Sequence, residues 1–207
     1  MDSKYDLRTG DLLLFSQKGS CLSTLIKKCT KSKFSHVAII LKNPTNISPE
    51  LKGYYILESS IEIKRDAVDN KKKFGVRIRK LKDAIANYNG SIYWRKLNCL
   101  RDDKFYLNIK MLYEDVRNIL YDINPVDWFK AAFAIDIGDV HKKKTFWCSA
   151  LVAYLYVKLG FLPECIPWTI ITPNEFSSTG DLNDRYIKCN LESERLYIHN
   201  ENTYTML

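Results

Sequence analysis

Apolar and polar positions along this chain alternate with two periods, and the change between them marks out its elements. From Cys148 onward Leu151, Val152, Leu155 and Leu159 recur at three-and-four spacing, which predicts a helix with one buried face. Gly160 supplies the left-handed residue that commonly closes a helix, and Pro163 blocks any continuation. Strands are expected earlier in the chain. Residues 36–41, His36-Val37-Ala38-Ile39-Ile40-Leu41, are almost wholly apolar, as a strand covered on both faces should be. Residues 11–15 read as a short buried strand after the Thr9-Gly10 turn, and 54–58 as the antiparallel partner of 36–41. Residues 60–74 are charged and without period. Residues 75–81 alternate apolar and basic, predicting a half-buried strand whose charged outer face carries Arg77 and Arg79.

The remaining pattern is mixed. Short helices are expected over 20–29 and 83–87, a strand over 91–97, and longer helices over 103–120 and 126–134, the second opened by Pro125. Thr172 can cap a turn begun by Pro173. Segments 186–191 and 195–199 read as a closing hairpin, and 200–207 as a frayed end. Hairpin-linked strands with segregated helices predict an α+β fold, an antiparallel sheet or partial barrel. No linker or repeat interrupts residues 1–207, so one domain is expected, with a helical insertion at about 101–145.

Composition adds bounds. The chain is 46% hydrophobic and carries a formal charge of +8, which suits a globular protein near anionic surfaces such as lipid headgroups or nucleic acid. Much of the excess lies in short Lys runs, at 27–28, 71–73 and 142–144, which read as solvated loop tips. The six cysteines, Cys21, Cys29, Cys99, Cys148, Cys165 and Cys189, form no CxxC pair and no zinc spacing, so neither a disulfide framework nor a metal site is expected. No cofactor motif stands out. The first residues lack the apolar run of a signal peptide, and no stretch approaches the roughly 20 apolar residues of a membrane span. A reducing, cytoplasmic setting is the expectation. Abundant Lys, Asn, Ile and Tyr, all with AT-rich codons, point toward a protist or large DNA virus as source.

The chemistry gathers at Cys148. At the start of its helix the unpaired N–H groups and the positive end of the helix dipole favour thiolate over thiol. A controlled nucleophile also needs a base and a group that orients the base. His36 is the candidate base. Glu58 is the candidate orienter, because it ends an apolar strand where a carboxylate is out of place, and antiparallel pairing of 36–41 with 54–58 would set it beside His36. The alternatives stay open: a gap-filling Cys148, an ordinary strand-end His36, a solvated Glu58. His141 and His199 read as incidental.

Set in order, Gly10-Asp11-Leu12-Leu13-Leu14-Phe15, Ser35-His36-Val37-Ala38-Ile39, Leu57-Glu58-Ser59, Gly75-Val76-Arg77-Ile78 and Trp147-Cys148-Ser149-Ala150-Leu151-Val152 resemble the circularly permuted NlpC-like, papain-like cysteine hydrolases. That group takes in YiiX-type proteins, poxvirus members and the more distant lecithin:retinol acyltransferase-like enzymes. The histidine strand precedes the cysteine helix here, which is the mark of the permutation. The resemblance runs from about Gly10 to Phe176, where Thr172-Pro173-Asn174-Glu175-Phe176 looks like the family's post-helix element. It implies a permuted papain-like fold with Cys148 as nucleophile, His36 as base and Glu58 as third member, and with Asp11 in a turn. The insertion at 101–145 departs from the pattern.

Together these readings predict a thiol hydrolase or acyltransferase acting on an amide or ester, a peptide or a lipid acyl group, through a covalent acyl-enzyme. An anionic membrane surface is a candidate partner. No specific nucleic acid is expected, and oligomeric state is not legible. The competing reading is a basic nucleic-acid or membrane-surface binder, or a virion structural protein, with a vestigial site, for which the Arg77/Arg79 face and the Lys runs would serve.

Overall fold

A computed structural model describes residues 5–17, 33–86, 88–122 and 145–200. Its centre is β2 (His36–Lys42), flanked by β1 (Leu12–Gln17) and β3 (Tyr54–Arg65). With β4 (Lys72–Lys80), β5 (Gly90–Arg95), β7 (Leu120–Tyr121), β8 (Thr145–Phe146) and β10 (Arg195–Asn200) these strands make one open sheet, in the order β10-β5-β1-β2-β3-β4-β7-β8. All its pairings are antiparallel except β7 with β8. The described strands do not close into a barrel. With helices α1 (Leu81–Ile85), α2 (Asp103–Val116) and α3 (Cys148–Lys158), the class is α+β.

The period-two alternation of β1 and β2 sorts their side chains into two cores. Leu12, Leu14, Val37, Ile39 and Leu41 face α3, while Leu13, Phe15, Ala38 and Ile40 face the opposite side with Leu81 and Ile85 of α1. The near-continuous apolar run of β2 follows from this, since both of its faces are covered. Helix α3 departs from the single buried face that the spacing predicts. Every residue from Cys148 to Val157 is buried, because the sheet, Trp168 and Phe161 enclose it together. Tyr154 and Tyr156 tolerate this by donating their hydroxyls to Asp115 Oδ2 and to the Gly10 carbonyl, each at 2.7 Å. The helix ends as expected. Gly160 has φ +73°, and the Phe161 N–H donates to Tyr156 O at 2.8 Å while Gly160 N–H reaches Val157 O at 2.9 Å, the paired bonds of a left-handed helix stop.

Other expectations are corrected. The aperiodic 60–74 stretch is strand at both ends: β3 continues to Arg65 and β4 starts at Lys72, with a register shift between Ser60 and Lys64. Arg77 is not on a solvated face but fully buried, and Lys73 is tied to Asp66 and Asp69 at 3.3 and 3.1 Å instead of lying free at a loop tip. Gly75 allows β7 to approach, since a Cβ there would stand 2.5 Å from the Ile119 carbonyl oxygen. The helix expected over 103–120 stops at Val116, and Leu120 joins the sheet as β7. The 91–97 strand divides, with Leu97 and Asn98 forming β6, which pairs with β9 (Asn190–Leu191). The closing hairpin is therefore absent: β9 joins β6 while β10 joins β5, and β10 takes in Asn200. Thr172 stands at the N-cap of the 3-10 turn Pro173–Phe176 without a side-chain cap bond. The helices expected over 20–29 and 126–134, with Cys21, Cys29 and His141, lie outside the described residues. Among the described residues no helix is long and apolar enough to cross a membrane.

Asp11, read as a turn residue, is a buried junction. Its carboxylate accepts from the Arg8 and Leu97 N–H groups and the Trp94 indole, at 3.0, 3.0 and 2.9 Å, and pairs with Arg101 at 3.0 Å. Removing it leaves the Leu97 N–H and the Trp94 indole without their acceptor in the core and takes the counter-charge from Arg101. Asp11→Ala should therefore lose about 3–5 kcal/mol of stability, read as a lower urea midpoint, with Asp11→Asn intermediate.

Candidate active site

The ladder between β2 and β3 runs from Lys42↔Tyr54 to Ile39↔Leu57 and stops short of His36, Val37 and Glu58. The N-terminus of α3 meets the sheet at this end. Ser59 Oγ donates to the Phe146 carbonyl at 2.6 Å, and the Trp147 indole and Ser149 hydroxyl both donate to the Ile171 carbonyl, at 3.1 and 2.6 Å. These three bonds hold the residues on each side of Cys148, the first residue of the helix.

His36 opens β2, its ring edge-on to Phe15 at 5.1 Å. Its Nε2 lies 2.9 Å from Glu58 Oε2, and it is also hydrogen-bonded to the Cys148 thiol. The structure thus brings Cys148, His36 and Glu58 into one chain of contacts. His199 is apart from them, hydrogen-bonded to Ser91 at 2.7 Å. A groove of about 670 Å³ lined by Asp6, Arg8, Lys42 and Arg101 lies at the opposite end of β2 and includes none of the three.

Electrostatics follow from the contacts. Burial would push the Cys148 thiol up, but the His36 charge and hydrogen bond, with the N–H groups of Val37 and Ser149, outweigh it and hold the thiol below its ordinary range. The Val37 N–H has no ladder partner on β3 and so can turn to sulfur. Burial acts downward on His36; the Cys148 thiolate and Glu58 overcome it and raise the imidazole to about 10. Glu58 is itself buried, which disfavours its charge, yet His36, Arg77 and Arg79 together keep its carboxyl far below the usual range. Each group thus favours the charged form of the other, thiolate beside imidazolium.

Arg77 was not singled out by its spacing as part of the site. Its Nη2 lies 2.8 Å from Glu58 Oε1 and its Nε 3.0 Å, while Nη1 donates to the Glu62 carbonyl. Arg79 reaches the same oxygen at 3.4 Å. The available signal was register: in the β3–β4 ladder Glu58 lies directly opposite Arg77. Tyr121 also comes near. It is buried in the core that holds Cys148, and burial, then the negative Cys148, then Asp122 push its phenol up.

The fold thus gathers a thiol at a helix start, an imidazole beside it and a buried carboxylate behind. No family model matches the chain, and no curated protein matches it. Among solved structures the chain is similar to the metalloprotein YiiX from Escherichia coli O157:H7, at 18% identity and a TM-score of 0.46, over 75% of this chain and 67% of that one. Among the described residues here, no group of three or more His, Cys, Asp and Glu side chains is arranged to hold a metal ion.

Two outcomes test the electrostatics. Glu58→Gln should leave Arg77 buried without a counter-charge, lowering stability by about 3–5 kcal/mol and lowering the His36 pKa, both measurable by urea unfolding and imidazole NMR titration. Because His36 is the main cause holding the Cys148 thiol below its ordinary range, alkylation of Cys148 by iodoacetamide should persist to lower pH in the wild type than in His36→Ala. A Cys148 rate with the same pH profile in both proteins would contradict the ion pair.

Proposed function

We propose that this chain is a thiol hydrolase or acyltransferase of the permuted papain-like kind, one domain acting on an amide or ester carbonyl through Cys148, His36 and Glu58. The observation that carries the reading is the contact chain itself: Glu58 on His36 Nε2 at 2.9 Å, and the buried Cys148 thiol hydrogen-bonded to the same imidazole. Burial alone would favour the neutral thiol, and the imidazole and N–H groups gathered at its sulfur act against that, which a gap-filling cysteine would not need.

In this reading the Cys148 thiolate adds to the substrate carbonyl carbon, and the carbonyl π electrons move to oxygen. The Cys148 N–H at the start of α3 holds that oxyanion in this reading. The His36 imidazolium then gives its proton to the leaving nitrogen or oxygen, and the acyl group remains on sulfur as a thioester. Neutral His36 next takes a proton from water or a second acceptor, which attacks the thioester. The thiolate leaves, and the imidazolium is restored. Glu58 keeps the ring oriented and stabilises its charge throughout, without itself taking the proton. Arg77 keeps Glu58 ionised and in place.

Two features favour this over a basic binding module. The Arg77/Arg79 face, which would have served nucleic acid, is directed at Glu58, with Arg77 fully buried. The start of α3 also carries no side-chain cap, so no capping side chain takes up the Cys148 N–H.

Treatment with a small electrophilic probe followed by peptide mapping should modify Cys148 before Cys99, Cys165 or Cys189. Cys148→Ala should abolish turnover of thioester or ester substrates with little loss of stability, and it should lower the His36 pKa because the thiolate charge is gone. Preferential labelling elsewhere, or turnover retained by Cys148→Ala, would overturn the assignment.

A further inference from the structure

Beyond the thiol chemistry, the β3–β4 connection carries an unusual surface three residues past Glu58. After Ser60, β3 leaves its register with β4, and Ile61 and Ile63 are set outward, 38% and 63% exposed. Leu120, 57% exposed, sits beside Gly75, which in turn pairs with Ser60. Ile61 and Ile63 follow Ser60 along β3, and Leu120 lies on the second strand over, in the ladder row of Ser60 and Gly75. The connection continues into paired cations, Lys64 opposite Lys73 and Arg65 opposite Lys72. Like charges directly across a ladder destabilise it. Lys73 is compensated, because Asp66 and Asp69 turn inward to hold it. Arg65 and Lys72 are exposed and have no carboxylate partner among the described residues.

We propose that this edge docks on an anionic phospholipid bilayer, with Ile61, Ile63 and Leu120 entering the headgroup boundary and Arg65 and Lys72 meeting the lipid charge. Exposed aliphatics beside uncompensated cations match an interfacial surface, in which buried apolar area and charge attraction act together. A single-stranded nucleic acid would need aromatic platforms, and residues 61–73 contain none. A second copy of the chain is disfavoured because each copy carries +8 and would meet the other through its cations. Docking here would set the Cys148 end of the sheet at the membrane, since the ladder row Ser60–Gly75–Leu120 lies just beyond Glu58–Arg77.

The test compares the wild-type chain with Ile61→Ser/Ile63→Ser and Arg65→Gln/Lys72→Gln by co-sedimentation with phosphatidylcholine vesicles, with and without phosphatidylserine, at low and high salt. The rate of Cys148 alkylation is read on the same samples. Wild type should sediment with the phosphatidylserine vesicles. The Gln pair should weaken that binding by about fivefold per charge, roughly 25-fold in all. The Ser pair should leave only a residual that high salt removes. Alkylation should not change in either variant. Absence of vesicle binding by wild type, binding unaffected by either pair, or binding to polyglutamate or an oligonucleotide but not to vesicles would each overturn the proposal. If Cys148 proves no more reactive than Cys165 while the vesicle pattern holds, the thiol reading fails and the docking surface is supported.

Discussion

The Glu58 carboxylate is the constraint around which the site is built. It is 3% exposed and ends the apolar part of β3, where an ionised group is stable only if its lost hydration is replaced. Replacement comes from two sides: Arg77 and Arg79 from β4 on one oxygen, His36 from β2 on the other. The arginines are what allow the carboxylate to remain charged in the core, and the charged carboxylate is what holds one face of the imidazole. Orientation of His36 therefore originates in a buried ion pair two strands away from the thiol it serves. Such a pair adds little net stability over an apolar substitute; its value here lies in geometry.

The second requirement is room for the helix end. Strands β2 and β3 stop pairing before His36, and that gap leaves the Val37 N–H free to meet the Cys148 sulfur. Ser59, adjacent to Glu58, then ties the β3 backbone to Phe146, two residues before Cys148. One short segment of β3 thus supplies both the carboxylate that orients His36 and the hydroxyl that anchors the approach to Cys148. Full enclosure of α3 makes the placement rigid, since a helix buried on every side has no free face about which to roll.

Much of this was legible in the residues themselves. The apolar run of β2, the helix from Cys148, its stop at Gly160 and the pairing of the 36–41 and 54–58 strands all follow from local pattern, because period, turn chemistry and burial act over a few residues. The candidate trio was also legible, as a cysteine at a helix start, a histidine opening an apolar strand and a carboxylate closing one. What local pattern could not contain was everything decided by partners distant in sequence. Alternation in 75–81 has the period of a strand with a solvated basic face, and only the Glu58 carboxylate opposite Arg77 turns that face inward. Asp11 looks like a turn residue until Trp94, Leu97 and Arg101 arrive from more than eighty residues away. Segments 186–191 and 195–199 have hairpin composition, yet each finds an earlier strand edge that offers better pairing. Sequence alone pointed to the candidate residues and to the elements that carry them. The tertiary structure decided which charges are buried, because the cost of burying a charge depends on the group that comes to face it.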